Sequence, residues 1–379
     1  MSAKPRVLFV GRMRYHLPLP AWLAKKWDAV ESELDYRVVG AASADSGPSD
    51  ARFRLTPPLR PHVLDGLLFY VRLPLRVRKH IRDFRPDAIF ASDPVLGAAA
   101  LLGRALAGSR SRVIVEVHGD WRTFARLYGS PLRRLVAPVV DMLAVGAVRH
   151  ADATRAVSTS TSRLIEDVRG VAPSAVFTAF SDLSAFTERP PAPLPERPTV
   201  VFVGALERYK NIGGLGDAWR LVAAQLPEAR LVIIGSGSQQ WVVTKLVADF
   251  PGRVEHHEWL DPAAVSDALD VATVLVLPSW PEGLGRVIIE SFARGRAVVA
   301  TDAGGIPDLV TNEVEGLLVP PADPTALASA LARVLGDREL AARMGAAARA
   351  RYADWHSTPE ELAREMRALV DATIAGTAR

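Results

Sequence analysis

The chain has 379 residues and no cysteine, and its formal net charge is +4. This length predicts about two domains, and the lack of cysteine excludes disulfides and cysteine–zinc sites. No run of about 18 uncharged apolar residues is present, and the first residues enter a strand-like pattern at once. We therefore expect a cytoplasmic protein with neither a transmembrane helix nor a signal peptide.

The charge is unevenly spread along the chain. Residues 1–190 contain 28 Lys and Arg against 18 Asp and Glu, whereas residues 191–379 contain 18 against 24. The basic first half favours an anionic partner such as lipid, phosphate or nucleic acid. It is equally compatible with an arginine-rich surface that binds nothing.

Short apolar runs typical of buried parallel strands alternate with helical patterns. In the first half these runs are 6–11, 88–92, 112–119, 153–158 and 174–180. In the second half they are 199–206, 230–238, 253–260, 271–279 and 297–305. A proline-rich segment, ERPPAPLPERP, separates the two series and reads as a stiff linker.

This alternation predicts an α/β protein with two Rossmann-like, doubly wound domains that face each other across a cleft. The expected domains are 1–190 and 191–357. We predict a last helix over about 359–374, with Thr358 as its N-cap and Pro359 at its first position. The C-terminal segment, 358–379, is expected to cross back to the first domain.

A basic stretch, VRLPLRVRKHIRDFRP (71–86), follows Leu67, Leu68, Phe69 and Tyr70. Its cations are Arg72, Arg76, Arg78, Lys79, Arg82 and Arg85. As an amphipathic helix it suits an anionic membrane surface. As an ordinary helix of the first domain it presents a solvated charged face, and both interpretations stay open.

The segment PSWPEGLGRVIIE (278–290) follows a predicted strand and enters a helix near Leu284 or Gly285. The first N–H groups of a helix lack internal partners, and glycine lets a phosphate approach the backbone. Gly283, Leu284 and Gly285 could hold a phosphate, while Glu282 and Glu290 accept hydrogen bonds from sugar hydroxyls on either side. Taken alone, the pattern also fits a capping glutamate and a solvated one.

The longer stretch PSWPEGLGRVIIESFARGRAVVATDAGGIPDLV resembles the signature of the family-4 retaining glycosyltransferases (glycosyl transferases group 1), which have the GT-B fold. TVVFVGALERYKN, LVIIGSGSQQ and NEVEGLLVPPADPTALASAL resemble further segments of that family, in its order. The resemblance covers most of residues 199–335. In the first domain it rests on RVIVEVHGD and IRDFRPDAIFASDP.

The resemblance implies roles for the matching residues. Glu282 would contact hydroxyls of the donor sugar, Glu290 the ribose and Lys210 the diphosphate. The implied catalytic set is His118, Lys210 and Glu282. The implied donor-binding set is Gly204, Arg208, Lys210, Gly235, Glu282, Gly283, Leu284, Gly285 and Glu290.

One position departs from the family pattern. An arginine usually follows the glycine of FVG and joins the lysine on the diphosphate, but here this residue is Ala205. Arg208 could supply the guanidinium; otherwise Lys210 and the helix N-terminus bind the diphosphate alone. A hydrogen bond to a charged group contributes about 1.5–3 kcal/mol. Its loss would weaken donor binding or mark a member of low activity.

His118 ends a predicted strand in VEVHGD, at the edge of a parallel sheet where ligands bind. A lone histidine is more often structural, but His118 matches a histidine of the family. We expect it to contact a donor-sugar hydroxyl or the reacting groups, with Asp120 on the acceptor side.

The first loop, VGRMRYHLPLP (10–20), stands where the family often carries a Gly-Gly turn. Only Gly11 remains of that turn, with Arg12 and His16 nearby. These residues form either an anion-recognising acceptor loop or plain surface.

The expected function is that of a hexosyltransferase-type enzyme. It would move a sugar, with retention, from a nucleoside-diphosphate sugar to a hydroxyl of a glycan, a glycolipid or a small molecule. No nucleic-acid partner is expected, and contact with the membrane would be peripheral. The absence of a D-x-D motif predicts no metal and no other cofactor, so Lys210, Arg208 and helix N–H groups would stabilise the leaving diphosphate.

No side chain stands out as a covalent nucleophile, which favours a front-face route in which the leaving phosphate helps to deprotonate the acceptor. Two alternatives remain. One is a nucleotide-sugar epimerase on the same architecture. The other is a non-catalytic subunit, supported by Ala205 and the missing Gly-Gly turn.

Overall fold

A computed structural model describes residues 3–43, 47, 50–57, 62–122 and 131–377, with the backbone alone for 62–67 and 131–134. The chain forms two compact units. The first contains Met1–Trp121, Val136–Phe180 and Ser357–Arg379, and the second contains Arg122–Leu135 and Ser181–His356.

The first unit is built on a parallel sheet. Its strands are β1 (Arg6–Tyr15), β2 (Asp35–Ala42), β3 (Phe53–Thr56), β4 (Ala88–Ala91), β5 (Arg112–Val117), β6 (Ala153–Ala156) and β7 (Ala175–Val176). They lie in the order β3-β2-β1-β4-β5-β6-β7. Its helices include α1 (Ala21–Glu33), α2 (His62–Phe84), α3 (Pro94–Ala107), most of α4 (Pro131–His150) and α5 (Thr159–Arg169). The strand order reverses between β1 and β4.

Both faces of this sheet are buried, which is why residues 7–10 of β1 and all of β4 are continuous apolar runs. Val7 and Phe9 of β1 point to one face and pack with Trp27 of α1. Leu8 and Val10 point to the other face, where α2, α3 and α4 cover the sheet.

The second unit repeats this plan. Its strands are β8 (Thr199–Val203), β9 (Arg230–Ile234), β10 (Val254–His257), β11 (Val274–Leu277), β12 (Ala297–Thr301) and β13 (Gly316–Val319). They are parallel and lie in the order β10-β9-β8-β11-β12-β13. The helices are α6 (Ser184–Thr187), α7 (Ile212–Gln225), α8 (Gln240–Asp249), α9 (Pro262–Asp270), α10 (Arg286–Ala293), α11 (Ile306–Leu309), α12 (Pro324–Gly336) and α13 (Arg338–Arg351). The order reverses between β8 and β11, and ligands of such sheets bind beyond the carboxyl ends of the strands at this point. The predicted pair of doubly wound α/β domains is confirmed.

The last helix, α14 (Pro359–Ala375), packs on the first unit, as expected. The hydroxyl of Thr358 accepts a hydrogen bond from the Glu361 N–H at 3.1 Å, and the Glu361 carboxylate accepts one from the Thr358 N–H at 2.8 Å. This reciprocal cap fixes the start of the helix. Leu362, Met366 and Leu369 then enter the core around α1. Among the described helices, none is long and apolar enough to cross a membrane.

The proline-rich segment lies with the second unit, where arginines hold its carbonyl groups. Proline has no N–H, so the segment offers mainly acceptors. The Arg294 guanidinium donates to the carbonyl oxygens of Phe186, Arg189 and Pro190 at 3.1, 2.8 and 2.9 Å. Arg338 donates to two carbonyls further along, at 2.6 and 2.7 Å. The second unit therefore begins at Ser181, ten residues before the boundary expected from the prolines.

The role of Arg294 is testable by substitution. This side chain is fully buried and also pairs with both oxygens of Asp270 at 2.7 Å. Removing one partner of a buried ion pair costs about 3–5 kcal/mol, because the other charge stays buried alone. We expect Arg294→Met to lower the free energy of unfolding of the second unit by that amount in urea titrations.

Arg338→Met is the matched control, because Arg338 also donates to the segment but is exposed. It should change the free energy of unfolding by less than about 1 kcal/mol. Equal losses in the two variants would contradict a special role for the buried guanidinium.

Candidate functional site

A buried ion pair joins two loops at the carboxyl edge of the second sheet. Lys210 ends a 3-10 turn, Arg208–Lys210, that follows β8, and Glu282 lies in the loop between β11 and α10. The Lys210 ammonium contacts the Oε2 atom of Glu282, 72 positions along the chain. Only 9% of Lys210 is exposed. The Ser279 hydroxyl donates to the same Glu282 oxygen at 3.1 Å, so the structure brings two predicted site residues together.

A close backbone contact fixes the loop that carries Glu282. The Gly305 N–H donates to the Glu282 carbonyl oxygen at 2.9 Å. A Cβ atom on Gly304 would lie 1.9 Å from that same oxygen, and Gly304 has a φ of +59°. Both facts require glycine, so the Gly-Gly turn after β12 determines where Glu282 sits.

The glycines that follow β8 and β9 pack in the same manner. A Cβ on Gly235 would lie 1.9 Å from the carbonyl oxygen of Gly204, and Gly235 has a φ of +142°. The two turns are therefore in direct backbone contact at the edge of the sheet that carries Lys210.

Helix α10 begins at Arg286 with Gly285 as its N-cap, which confirms the predicted start. Gly283, Leu284 and Gly285 are buried, and their N–H groups donate to no described residue. Unpaired N–H groups and the positive end of the helix dipole attract an anion. The segment therefore has the geometry of an anion-binding turn next to the Lys210–Glu282 pair.

Glu290 lies in the second turn of α10 and is part-buried. Burial raises the pKa of its carboxyl from 4.5 to about 7, against the opposing charge of Arg286. Among the described residues, none donates a hydrogen bond to this carboxyl. A buried carboxyl without partners is suited to hydroxyl groups of a ligand, which both donate and accept.

The structure does not place Arg208 beside Lys210. The two residues are two positions apart in a 3-10 turn, where side chains at this spacing point about 120° apart. Lys210 is buried, whereas Arg208 and Ala205 are exposed. Arg208 is therefore a poor replacement for the arginine that the family carries at the position of Ala205.

The first loop was predicted wrongly. Strand β1 continues to Tyr15, with an irregular register between Val10 and Arg14, so Gly11 and Arg12 lie within a strand. The strand was predicted from a continuous run of apolar residues, and the arginines that follow Gly11 interrupt that run. A Cβ on Gly11 would lie 3.4 Å from the Ser92 hydroxyl, which places Gly11 beside the end of β4.

Arg12 lies over the ring of Tyr70, 5.1 Å from its centroid. His16 follows the end of β1 and is exposed, with Nδ1 3.3 Å from the Ser43 hydroxyl. The predicted acceptor residues of this segment are therefore distributed along the end of β1. Asp120 is part-buried, two residues beyond His118.

His118 follows β5, and 42% of its side chain is exposed. Its Nε2 atom lies 3.4 Å from the Oε2 atom of Glu116, which forms a buried ion pair with Arg155 of β6. Burial by itself would raise the pKa of Glu116, but Arg155 and His118 outweigh it and hold that pKa at about 2. Sequence reasoning missed Glu116 and Arg155. The sequence pattern that could have indicated them is a charged residue in each of two otherwise mostly apolar strands, β5 and β6.

Comparisons with known proteins agree with this architecture. The family model described as "Glycosyltransferase Family 4" matches residues 31–178, and the one described as "Glycosyl transferases group 1" matches residues 197–337. A solved structure of sucrose-phosphate synthase from Thermosynechococcus elongatus superposes with a TM-score of 0.78 at 20% identity. That match covers 98% of this chain and 100% of the other, so the GT-B fold is confirmed.

Two curated relatives are similar in sequence. The sulfoquinovosyl transferase SQD2 of Arabidopsis thaliana is 33% identical over 181 residues, which span 45% of this chain and 33% of the relative. The GDP-mannose-dependent alpha-(1-6)-phosphatidylinositol monomannoside mannosyltransferase of Mycobacterium tuberculosis is 28% identical over 82% of this chain and 81% of the relative. The chain thus matches only a third of the Arabidopsis protein's length. With both family models matched in order and the GT-B fold in place, the chain belongs to the family-4-type glycosyltransferases.

Proposed function

We propose that this chain is a retaining hexosyltransferase that uses a nucleoside-diphosphate sugar, and that the second unit binds this donor. The observation that carries the proposal is the buried Lys210–Glu282 pair beside the unpaired N–H groups of residues 283–285. A cation, an anion-binding turn and two carboxyl groups match the parts of a nucleotide sugar. The mycobacterial relative is named as GDP-mannose-dependent, which supports a donor of this class.

Donor binding would exchange the partners of Lys210. Without ligand, the Glu282 carboxylate neutralises the ammonium group and holds it in the site. A diphosphate at the start of α10 would take over Lys210 as its counter-ion. Glu282 would then be free to accept hydrogen bonds from hydroxyls of the donor sugar, and Glu290 would bind the ribose hydroxyls.

The reaction would break the bond between the anomeric carbon and a phosphate oxygen, and form one to the acceptor oxygen on the same face of the sugar. The acceptor proton would pass to the leaving phosphate oxygen. Lys210 and the N–H groups of residues 283–285 would stabilise the charge that develops there, so the proposed route uses no metal or other cofactor. A trapped glycosyl–enzyme adduct would contradict this front-face route.

We also propose that the enzyme acts on the cytoplasmic side of a membrane, on a lipid-linked acceptor. The name of the mycobacterial relative includes a phosphatidylinositol monomannoside. In this chain, α2, α3 and α4 cover the same face of the first sheet. Their outer surfaces expose large apolar side chains: Val71, Leu75, Leu102, Leu106, Val139, Met142 and Leu143. We infer from these exposed apolar side chains that this face is an interaction surface.

Cations on α2 add the charge that an anionic bilayer requires. Arg72, Lys79 and Arg82 are exposed. Arg76 and Arg78 are part-buried and donate to the carbonyl oxygens of Arg54 and Leu106 at 2.9 and 3.1 Å, so they are less available to a bilayer. The basic stretch thus divides into structural arginines and outward-facing cations.

The donor site is tested by Lys210→Ala and Glu282→Gln. In calorimetric titrations with the nucleotide sugar that best stabilises the wild-type protein, we expect Lys210→Ala to weaken binding about ten- to a hundredfold, because a charge-assisted contact is lost. Glu282→Gln should reduce the rate of sugar transfer more than it reduces the affinity for the bare nucleoside diphosphate.

Lys245→Ala, an exposed lysine of α8 in the same unit, is the control and should change neither quantity. Unchanged donor binding in Lys210→Ala would overturn the proposal. Conversion of the donor to an epimer without any acceptor would favour the epimerase alternative.

Glu290 predicts a pH dependence of stability. Its folded-state pKa of about 7 is above the ordinary value of 4.5, so the folded protein gains protons relative to the unfolded chain and loses stability as the pH rises from 4.5 through 7. Glu290→Gln removes this loss. We expect the variant to be more stable than wild type by up to about 3 kcal/mol at pH 8, with no difference near pH 4.5. Chemical denaturation at the two pH values checks this, with substitution of an exposed glutamate, Glu228→Gln, as the control. An equal difference in stability between Glu290→Gln and wild type at pH 4.5 and pH 8 would contradict the prediction.

The membrane surface is tested by charge reversal of Arg72, Lys79 and Arg82 together. We expect at least a tenfold loss of binding to vesicles that contain phosphatidylglycerol, because each basic residue near an anionic surface contributes about 1 kcal/mol. Reversal of Lys245, Arg343 and Arg364, exposed cations on other elements, is the matched control. If both triple variants bind vesicles as the wild type does, this surface does not contact the membrane.

A further inference from the structure

We propose that Glu116 is a positioning residue for His118. It holds the imidazole with a proton on Nε2, and it leaves Nδ1 as a hydrogen-bond acceptor for a hydroxyl group of the sugar substrate. The orientation of the His118 ring is argued from contacts within the first unit alone. The binding of a sugar hydroxyl to Nδ1 rests on the proposed function.

The backbone places the two side chains on one face of the sheet. Glu116 lies in β5 and His118 follows two residues later, so both point to the same side. The Nε2 atom of His118 is 3.4 Å from Oε2 of Glu116. The His118 side chain is 42% exposed, so a ligand can reach the ring.

The Glu116 carboxylate is itself held in place. It lies beside Arg155 in the register of β5 and β6, and the Arg155 Nη1 group donates to its Oε1 atom. Arg155 is fixed in turn by a hydrogen bond of 2.8 Å to the Phe177 carbonyl oxygen and by the Phe177 ring, 3.9 Å away. Oε2 is therefore presented to His118 by a rigid, buried group.

The charge state of Glu116 selects the tautomer of His118. Arg155 keeps the carboxylate ionised, with a pKa of about 2, so Glu116 only accepts hydrogen bonds. The ring nitrogen that faces it must carry a proton. In the neutral imidazole the other nitrogen, Nδ1, then has a free lone pair.

Further titratable groups interact electrostatically with Glu116, His118 or Arg155. Lys26 helps to lower the pKa of Glu116. Burial and the Glu116 charge raise the pKa of Tyr15 well above its usual range, so Tyr15 stays neutral near pH 8. Burial raises the pKa of Asp93, and the nearby His118 and Arg12 oppose this rise; its carboxyl accepts a hydrogen bond from the Leu96 N–H at 2.8 Å. Burial raises the pKa of Glu365 of α14, and Arg155 opposes this rise. Among the described contacts, Glu116 is the only side chain within hydrogen-bond distance of the His118 ring.

The test is the tautomer of His118 in the full-length protein at pH 8, read from ¹⁵N chemical shifts after labelling with ¹⁵N-histidine. His118→Asn identifies the signals. We expect wild type to show Nε2 protonated and Nδ1 unprotonated, with no second tautomer. Glu116→Gln should add the Nδ1-protonated tautomer, because an amide both donates and accepts.

Glu116→Gln leaves Arg155 buried without its carboxylate and so has a cost in stability. Glu116→Gln with Arg155→Met removes both charges and keeps the volume, and it should show the same mixture of tautomers. A wild-type protein with Nδ1 protonated would overturn the proposal. So would a single, unchanged tautomer in both variants.

Kinetics supply the second readout. We expect the double variant to lower kcat about tenfold, the loss of roughly one hydrogen bond, with the KM for the donor nucleotide sugar unchanged. An unchanged kcat would remove the substrate role. If the wild type transfers no sugar at all, the proposed function fails, while the tautomer measurement still decides whether Glu116 orients His118.

Discussion

The ion pair between Lys210 and Glu282 is the contact on which the architecture of the site depends. It joins the turn after β8 to the loop after β11, the two central strands between which the strand order reverses. Only 11% of the Lys210 side chain and 13% of the Glu282 side chain are exposed, so each charge is stabilised by the other. The pair therefore sets the distance between the two loops before any ligand binds.

The surrounding glycines let the neighbouring turns pack closely around this ion pair. Gly304 lets the β12 turn touch the Glu282 carbonyl, and Gly235 lets the β9 turn touch Gly204. Because all strands of a parallel sheet end at the same edge, these turns and the N-terminus of α10 gather at one place. As a result, polar groups without a protein partner in the described structure lie at this edge and are available to a ligand. They are the N–H groups of residues 283–285 and the carboxyl of Glu290.

Features set by local chemistry could be predicted from the sequence. The apolar runs gave the position of most strands, the Thr358–Pro359 pair gave the start of α14, and the glycines gave the start of α10. Strands β2, β3 and β13 were missed, because β2 and β3 mix charged with apolar residues and β13 is a run of only four residues. The end of β1 was taken for a loop because two arginines interrupt its last residues, RMRY.

Features set by contacts distant in the chain could not be predicted. Arg155 lies 39 positions from Glu116, and no local pattern shows that these two charges meet. The same holds for Arg294, whose fixation of the proline-rich segment moves the start of the second unit. The basic stretch of α2 looked uniform in sequence, yet two of its arginines are occupied by main-chain carbonyls and others remain outward-facing.

The central claim is that the second unit holds a nucleotide sugar between Lys210, the start of α10 and the two glutamates. A crystal structure of the protein with a bound nucleotide sugar tests it most directly. The account predicts the diphosphate within hydrogen-bond distance of the Lys210 ammonium and the N–H groups of residues 283–285, with the ribose at Glu290 and the sugar at Glu282. A diphosphate bound elsewhere, with the Lys210–Glu282 pair intact, would contradict it.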